Sequence, residues 1–393
     1  MRVVKPETLL RVLYRKYYER FKPERIEGLK AREWAYIPFS ESSETMVRHI
    51  GVRSYDELRR LLAERVPKSV YYSTAYYVNP SASKMEEKGW IGADLVFDID
   101  ADHIPWARNK RYDEMLEIAK KEMIHLIENF IMEDFGFSER SLKITFSGGR
   151  GYHLKITEYE IRRLSASARK EIADYLYGSD IDLDMLISHI ESGVYTDFGW
   201  PKRIYSFLEE AYKKYPNTRD WISKRFKERG VEISEDEVKA IETYANYLGL
   251  KALSSVRGSI KSVPRGEKRK AVEALVRLFR VEIDKVVTGD SKRLIRYPSS
   301  LHGKTGLYVK SLRSLDDLHE FNPLEDAVVL PSTEVRVLIK SFDRSSPMVR
   351  AINGVRIGEY EIELSEGVMS MPLYAAVFIY GLTRLISSVM ILS

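Results

Sequence analysis

The chain has 393 residues, of which 44% are hydrophobic and 31% charged, with a formal net charge of +5, enough for one large or two modest domains with buried cores. It contains no cysteine, which excludes disulfides and every Cys-based zinc or redox site and fits a reducing interior. The basic excess permits a polyanionic partner without demanding one.

Met1 to Pro6 lacks the apolar stretch of a signal peptide, and a cytoplasmic protein is expected. From Thr8 to Phe21, Leu10, Leu13, Tyr14, Tyr17 and Phe21 recur at helical spacing, predicting an amphipathic helix. Arg32 to Phe39 is an aromatic-rich strand candidate, followed by a polar turn leading to Met46-Val-Arg48-His49. Ser54 with Glu57 forms a capping-box pattern for a helix that stops before Pro67, and Val70 to Val78 reads as a strand. A loop over Asn79 to Gly92 then delivers the chain to the strand Asp94-Leu-Val-Phe-Asp-Ile-Asp100. A long helix is expected over Tyr112 to Phe135, then strands Leu142 to Phe146 and Tyr152 to Ile156 on either side of Ser147-Gly-Gly-Arg-Gly151.

From about 160 to 279 the pattern is helical and charged, with helices expected near 160–176, 184–191, 218–229, 235–248 and 266–279. It reads as a helical insertion, basic around Arg257, Lys261, Arg265, Lys268, Arg269 and Lys270, between the two parts of an α/β domain at 1–159 and 280–393. Strands are expected at Val281 to Asp284, Ala327 to Leu330 and Glu334 to Ile339. Gly381 and Arg384 interrupt the apolar run from Met371 to Leu392, so it reads as a buried helix, or helix and strand, rather than a membrane span.

The chemistry gathers in three places. Side chains two apart on a strand share a face, so Asp98 and Asp100 point together while Leu95, Phe97 and Ile99 point into a core. Taken alone, such a pair is also compatible with two solvated carboxylates at the rim of a sheet. Paired like charges raise each other's pKa unless a cation neutralises them, so the pair suggests a hard divalent metal. In Ser147-Gly-Gly-Arg-Gly-Tyr-His153 the glycines allow close backbone approach to an anion, and Ser147 and Arg150 add donors suited to phosphate. His153 and Lys155 are expected on the exposed face of the following strand, opposite Tyr152, Leu154 and Ile156. The segment Arg293 to Gly306 repeats the theme, with Arg296, His302 and Lys304 among a proline turn and glycines, soon after a further carboxylate, Asp284. Three carboxylates with phosphate-oriented cations describe metal-assisted nucleotidyl transfer, in which two divalent ions about 3.5–4 Å apart activate a 3′-hydroxyl and neutralise a triphosphate.

These motifs resemble, in order and kind, those of the catalytic (small) subunit of archaeal and eukaryotic DNA primases. The carriers are Asp98-Ile-Asp100, Ser147 to His153, and Asp284 followed by Arg296-Tyr-Pro-Ser-Ser-Leu-His302-Gly-Lys-Thr-Gly. The resemblance implies the primase fold, an α/β (α+β) core of mostly antiparallel or mixed sheets flanked by helices, with a helical subdomain inserted. It implies synthesis of short RNA, possibly DNA, primers on single-stranded DNA from nucleoside triphosphates with release of pyrophosphate. Asp98, Asp100 and Asp284 would then hold two Mg²⁺ or Mn²⁺ ions, with Asp290 a competing third ligand. Ser147, Arg150, His153, Arg296, His302 and Lys304 would contact the nucleotide, as would Arg48 in Met-Val-Arg-His. The implied partners are template DNA and a large regulatory subunit in a heterodimer, near the nucleoid and with no membrane. A primase-like repair or translesion polymerase, or a catalytically silent nucleic-acid-binding subunit, are the other readings. One departure stands out: relatives carry a zinc knuckle of Cys and His after the acidic strand, whereas only His103 and His125 lie there, so no zinc is expected.

Overall fold

The computed structural model describes residues 2–39, 45–192, 198–253 and 262–391. The chain divides into two compact units, one of Met1–Ile124, Ser138–Lys170 and Ile283–Ser393, the other of His125–Phe137 and Glu171–Glu282.

The first unit is mixed α/β and contains three four-stranded antiparallel sheets. One sheet runs in the order Lys310–Leu312, Leu142–Phe146, Gly151–Ile156, Leu95–Asp100. Its register sets Asp98 opposite His153 and Asp100 opposite Gly151. Gly151 must be glycine, because a Cβ there would lie 2.1 Å from the Ile99 carbonyl oxygen and 2.9 Å from the Asp100 Cα. All six residues of Gly151–Ile156 are buried, so His153 and Lys155 are not on an exposed face as the alternation suggested. The reason is that both faces of this strand are covered. Phe321 packs on Phe146 and Tyr152 on one side, and on the other the Lys155 ammonium donates to the Tyr72 hydroxyl at 3.1 Å.

Tyr72 belongs to the second sheet, ordered Leu294–Arg296, Ser69–Ser73, Trp34–Ile37, Val47–Ile50. Tyr297 packs edge-on to Trp34, Tyr72 and Phe21, and Trp34 lies tilted on Tyr72, in an aromatic cluster just beyond the helix Pro6–Glu19. The third sheet, Arg2–Val4, Ile386–Ile391, Glu334–Ile339, Gly367–Pro372, carries the apolar helix Leu373–Thr383. The C-terminal apolar run is thus a buried helix followed by a strand, and among the described residues no helix is long and apolar enough to cross a membrane.

The second unit is helical, built from Leu183–Ser192, Gly199–Lys213, Thr218–Arg229, Glu235–Leu253 and Arg265–Phe279. The helix Gly199–Lys213 adds to those expected: Ile204, Phe207, Leu208 and Ala211 recur at helical spacing and are buried, and Pro201 in the first turn forfeits no intrahelical bond. Of the basic residues expected here, Arg257 and Lys261 lie outside the described residues. Arg265 and Arg269 are paired with Asp184 at 2.8 and 2.7 Å and Lys268 with Glu191 at 2.6 Å, so this patch is largely neutralised.

Three strand expectations differ. Val70 to Val78 breaks at Thr74, whose N–H turns to the Arg293 carbonyl at 2.8 Å, and Ala75–Tyr77 then pairs with Trp90–Ala93. Val281 to Asp284 forms no strand, because Asp284 is the N-cap of the short helix Lys285–Gly289. Ala327 to Leu330 has a single ladder-like bond, from the Tyr308 N–H to the Ala327 carbonyl at 2.9 Å, and stays irregular. The expected helix over Tyr112 to Phe135 is α-helical over Tyr112–Leu126 and π-helical over Ile127–Met132.

A Cβ at position 151 forces the acidic strand away, so Gly151→Ala is expected to destabilise the protein by about 3 kcal/mol or more. Urea denaturation reads this directly, and a wild-type midpoint would disprove the required close approach.

Candidate active site

The acidic strand presents its two carboxylates at the end farthest from Asp94. The Asp98 Oδ1 stands 3.4 Å from the His153 Nε2 across the ladder. Burial pushes the Asp98 carboxyl above its ordinary range, with Asp100 and Asp284 adding to the rise and His153 and Arg296 opposing it. Asp100 turns its Oδ1 to the Asp102 N–H at 3.0 Å. Asp284 is drawn alongside by a single backbone bond, its N–H donating to the Asp98 carbonyl at 3.0 Å. The Asp284 Oδ1 caps the helix that follows, accepting from Val286 and Val287 at 2.9 and 3.2 Å, while its Oδ2 lies 3.8 Å from the His103 Nδ1. Asp290 has a different setting. Its Oδ1 accepts from the Lys292 N–H at 2.8 Å, and its charge acts on Tyr77, whose phenol burial pushes up to about 12.

The glycine turn and the third motif interlock. The turn closes where the Ser147 N–H donates to the Gly151 carbonyl at 3.0 Å, and the buried Ser147 Oγ accepts from the Gly149 N–H at 3.3 Å. Gly148 adopts a φ of 76°, and a Cβ there would fall 2.7 Å from the His302 Cβ. A Cβ at Gly149 would meet the His302 Nε2 at 3.2 Å. The His302 Nδ1 accepts from the Thr305 N–H at 3.2 Å, which leaves the ring hydrogen on Nε2. Burial, then the charges of Arg296, Lys304 and Arg150, hold this imidazole well below its ordinary pKa, so it is a neutral donor. Lys304 is exposed beside it.

Arg150 pairs with Asp102, whose carboxyl is raised by burial and lowered by that guanidinium. Arg296 ends the strand Leu294–Arg296 with its guanidinium 5.7 Å from the Tyr71 ring centre. Its Nε and the His153 Nδ1 are both buried and without a hydrogen-bond partner. Arg48 stands apart. It lies on Val47–Ile50, at the other edge of the second sheet from Arg296, and pairs with Glu33 at 3.2 Å. The structure therefore brings Asp98, Asp100, Asp284, Ser147, Arg150, His153, Arg296, His302 and Lys304 into one neighbourhood, through direct contacts or mutual electrostatic influence. Sequence reasoning missed Asp102, although it continues the alternation of Asp98 and Asp100, and it missed Tyr112 and Thr305, which grip the glycine turn.

A cavity of about 460 Å³ lies wholly in the helical unit, lined among others by Arg203, Phe207, Arg225 and Arg229. Glu133, Glu210 and Glu228 share its lining and offset the cations, and none of the residues above belongs to it.

Residues 97–314 match the family described as DNA primase small subunit, a stretch that contains all three motifs. The chain belongs to that family. It is 35% identical to the DNA primase small subunit PriS of Methanosarcina mazei, covering 94% of each chain. It is 38% identical to that of Methanothrix thermoacetophila over 95% of this chain and 97% of the relative. The corresponding protein of Picrophilus torridus is 33% identical over 90% of this chain and 91% of its own length. For a member of the primase small-subunit family, the interlocking of the Ser147 turn with His302 ties together two motifs far apart in sequence.

His302 has its pKa depressed by burial relative to the ordinary 6.5, so below that pH the unfolded chain binds more protons than the folded one. Its contribution to stability is present above about pH 6.5 and is lost as pH falls toward the folded value. Urea denaturation at pH 7.5 and 5.5 should show lower stability at the acid end, with a shallower slope for His302→Gln; equal slopes would remove His302 as the group responsible.

Proposed function

We propose that the chain is the catalytic subunit of a DNA primase, joining nucleotides on a single-stranded DNA template with release of pyrophosphate. The observation that carries this reading is the apposition of three carboxylates to an interlocked cationic cradle in which the Arg296 Nε–H is buried without a partner. A buried N–H without a partner costs free energy, and an oxyanion beside the Arg296 guanidinium removes that cost. Nucleic-acid binding alone needs cations and gains nothing from paired carboxylates at a strand end.

Asp98, Asp100 and Asp284 suit divalent cations such as Mg²⁺ or Mn²⁺: all are hard oxygen donors, each turns one oxygen toward a protein group, and burial, with the neighbouring carboxylates adding to it, raises the Asp98 carboxyl. When bound, such ions supply charge neutralisation at the triphosphate and lower the pKa of an attacking hydroxyl. Among the described residues no three such side chains stand ready-gathered around one point, so the three aspartates would have to draw together to share an ion. The rest falls to the chain. Arg150 and Arg296 supply guanidinium donors, His302 offers its Nε2–H as a neutral donor, and the Ser147 turn sets the backbone against the phosphates. Arg150 must leave Asp102 to do this. His153 holds the orientation of Asp98 from the opposite strand. Arg48 would reach nucleotide only by releasing Glu33.

The segment where relatives carry a zinc knuckle is here a short loop through a 3₁₀ turn at Pro105–Ala107, with Ile104 and Ala107 buried, leading into the helix that begins at Tyr112. We read it as a metal-free replacement. A large regulatory subunit is the expected partner.

The test uses single-stranded template, nucleoside triphosphates and Mg²⁺ or Mn²⁺, without primer and with or without the large subunit. Products begun from two nucleotides are expected; extension of a supplied primer only points to a repair polymerase, and no incorporation under any condition overturns both. Asp98→Ala and Asp100→Ala should each abolish synthesis while template binding persists, and wild-type rates in both would refute the carboxylate assignment. Arg150→Ala should raise the nucleotide KM about tenfold or more, as expected for loss of a charge-assisted hydrogen bond. An unchanged KM would take Arg150 out of the triphosphate site.

A further inference from the structure

We infer that Thr305 and Tyr112 are positioning residues that aim the glycine turn at its anionic ligand, an inference resting on the nucleotide-binding reading above. Thr305 is buried, and its Oγ1 donates to the Gly148 carbonyl at 2.5 Å while accepting from the Leu307 N–H at 3.1 Å. Tyr112 is also buried, and its hydroxyl donates to the Gly149 carbonyl at 2.9 Å. Two consecutive carbonyls of the turn are therefore each held by one side-chain hydroxyl. In a trans peptide the N–H points opposite to the carbonyl of the same unit. Holding the Gly148 carbonyl fixes the Gly149 N–H, which meets the Ser147 Oγ, and holding the Gly149 carbonyl turns the Arg150 N–H away from Tyr112.

The restraint is needed because the segment is Gly148-Gly149, the pair least able to fix its own backbone. A free glycine peptide can flip and present a carbonyl oxygen where an anion must sit. Thr305 has a second task. Its N–H donates to the His302 Nδ1, and its Oγ1 lies 3.0 Å from the same nitrogen, so one residue sets the turn and the His302 tautomer together. Both grips are buttressed from the C-terminal helix: the Phe378 ring packs edge-on to Tyr112 with centroids 5.0 Å apart. Gly381 abuts the Lys304 carbonyl so closely that a Cβ would fall 1.5 Å from its oxygen. Neither hydroxyl touches the ligand; each acts through the peptide it holds.

The test is the nucleotide KM and kcat of Thr305→Val, Thr305→Ser and Tyr112→Phe in the full chain, with equilibrium dialysis against labelled ATP and Mn²⁺ as a readout independent of synthesis. Thr305→Val and Tyr112→Phe should each raise KM and the dissociation constant about tenfold with kcat within about threefold of wild type. Thr305→Ser, which keeps the hydroxyl, should restore both. Because the two hydroxyls hold successive peptides of one turn, the double variant should lose less than the product of the single losses. A merely structural role would lower the melting temperature and leave KM in place. If Thr305→Val fails to fold, Tyr112→Phe decides alone. Folded variants with wild-type KM and ATP affinity would overturn the inference and leave the functional reading intact. A wild-type chain that binds ATP without incorporating it would overturn primase activity and leave the turn's role standing.

Discussion

The site depends on the antiparallel pairing of Leu95–Asp100 with Gly151–Ile156. That pairing sets Asp98 against His153 and places Asp100 opposite the one residue that allows the strands to come so close, Gly151. It also defines the carbonyl of Asp98 to which the Asp284 N–H attaches. A one-residue slip would send both aspartates to the other face and leave Asp284 without its anchor. The carboxylates, the cradle and the third motif are thus referenced to a single ladder.

Such a ladder has to resist the repulsion it concentrates. Behind Asp98 the strand begins at a fully buried Asp94, which the Arg32 guanidinium meets at 2.6 Å and the Tyr76 hydroxyl at 2.8 Å, with Lys155 at 3.7 Å. Arg169 donates to the Asp94 and Ala93 carbonyls at 2.8 and 2.7 Å. A buried ion pair adds little net stability, yet removing one partner leaves an uncompensated charge at a cost of about 3–5 kcal/mol. The network therefore acts as a register lock. It joins the sheet of Asp98 and Asp100, through Lys155 and Tyr72, to the aromatic second sheet on which Arg296 sits. On the far side of the cradle, the Tyr14 and Tyr17 hydroxyls of the first helix donate to the His302 and Ser299 carbonyls at 2.8 and 2.6 Å.

Much of this was legible locally. The strands around the glycine turn, the Ser54 cap and the helical character of the middle of the chain follow from spacing and turn chemistry, which act over a few residues. What escaped was set by distant partners. The alternation rule assigned His153 and Lys155 to water because it presumes one solvated face, whereas here Phe321 and Tyr72 cover both faces. Val281 to Asp284 has strand composition, but Asp284 spends its side chain on a helix cap. Thr305 and Tyr112 carry no local signature, since their meaning lies in carbonyls 157 and 37 residues away.

The pairing of Arg150 with Asp102 has a consequence for how the cradle works. Arg150, one of the cations assigned to the triphosphate, is engaged before any anion arrives, and its partner sits two residues beyond Asp100. A triphosphate carries more negative charge than one carboxylate and accepts in several directions, so exchange favours the ligand. The carboxylate that such an exchange would release lies beside Asp100, where it would add to the negative field. On the proposed reading, filling the phosphate side of the site would strengthen its metal side, and the two halves would be coupled through one side chain.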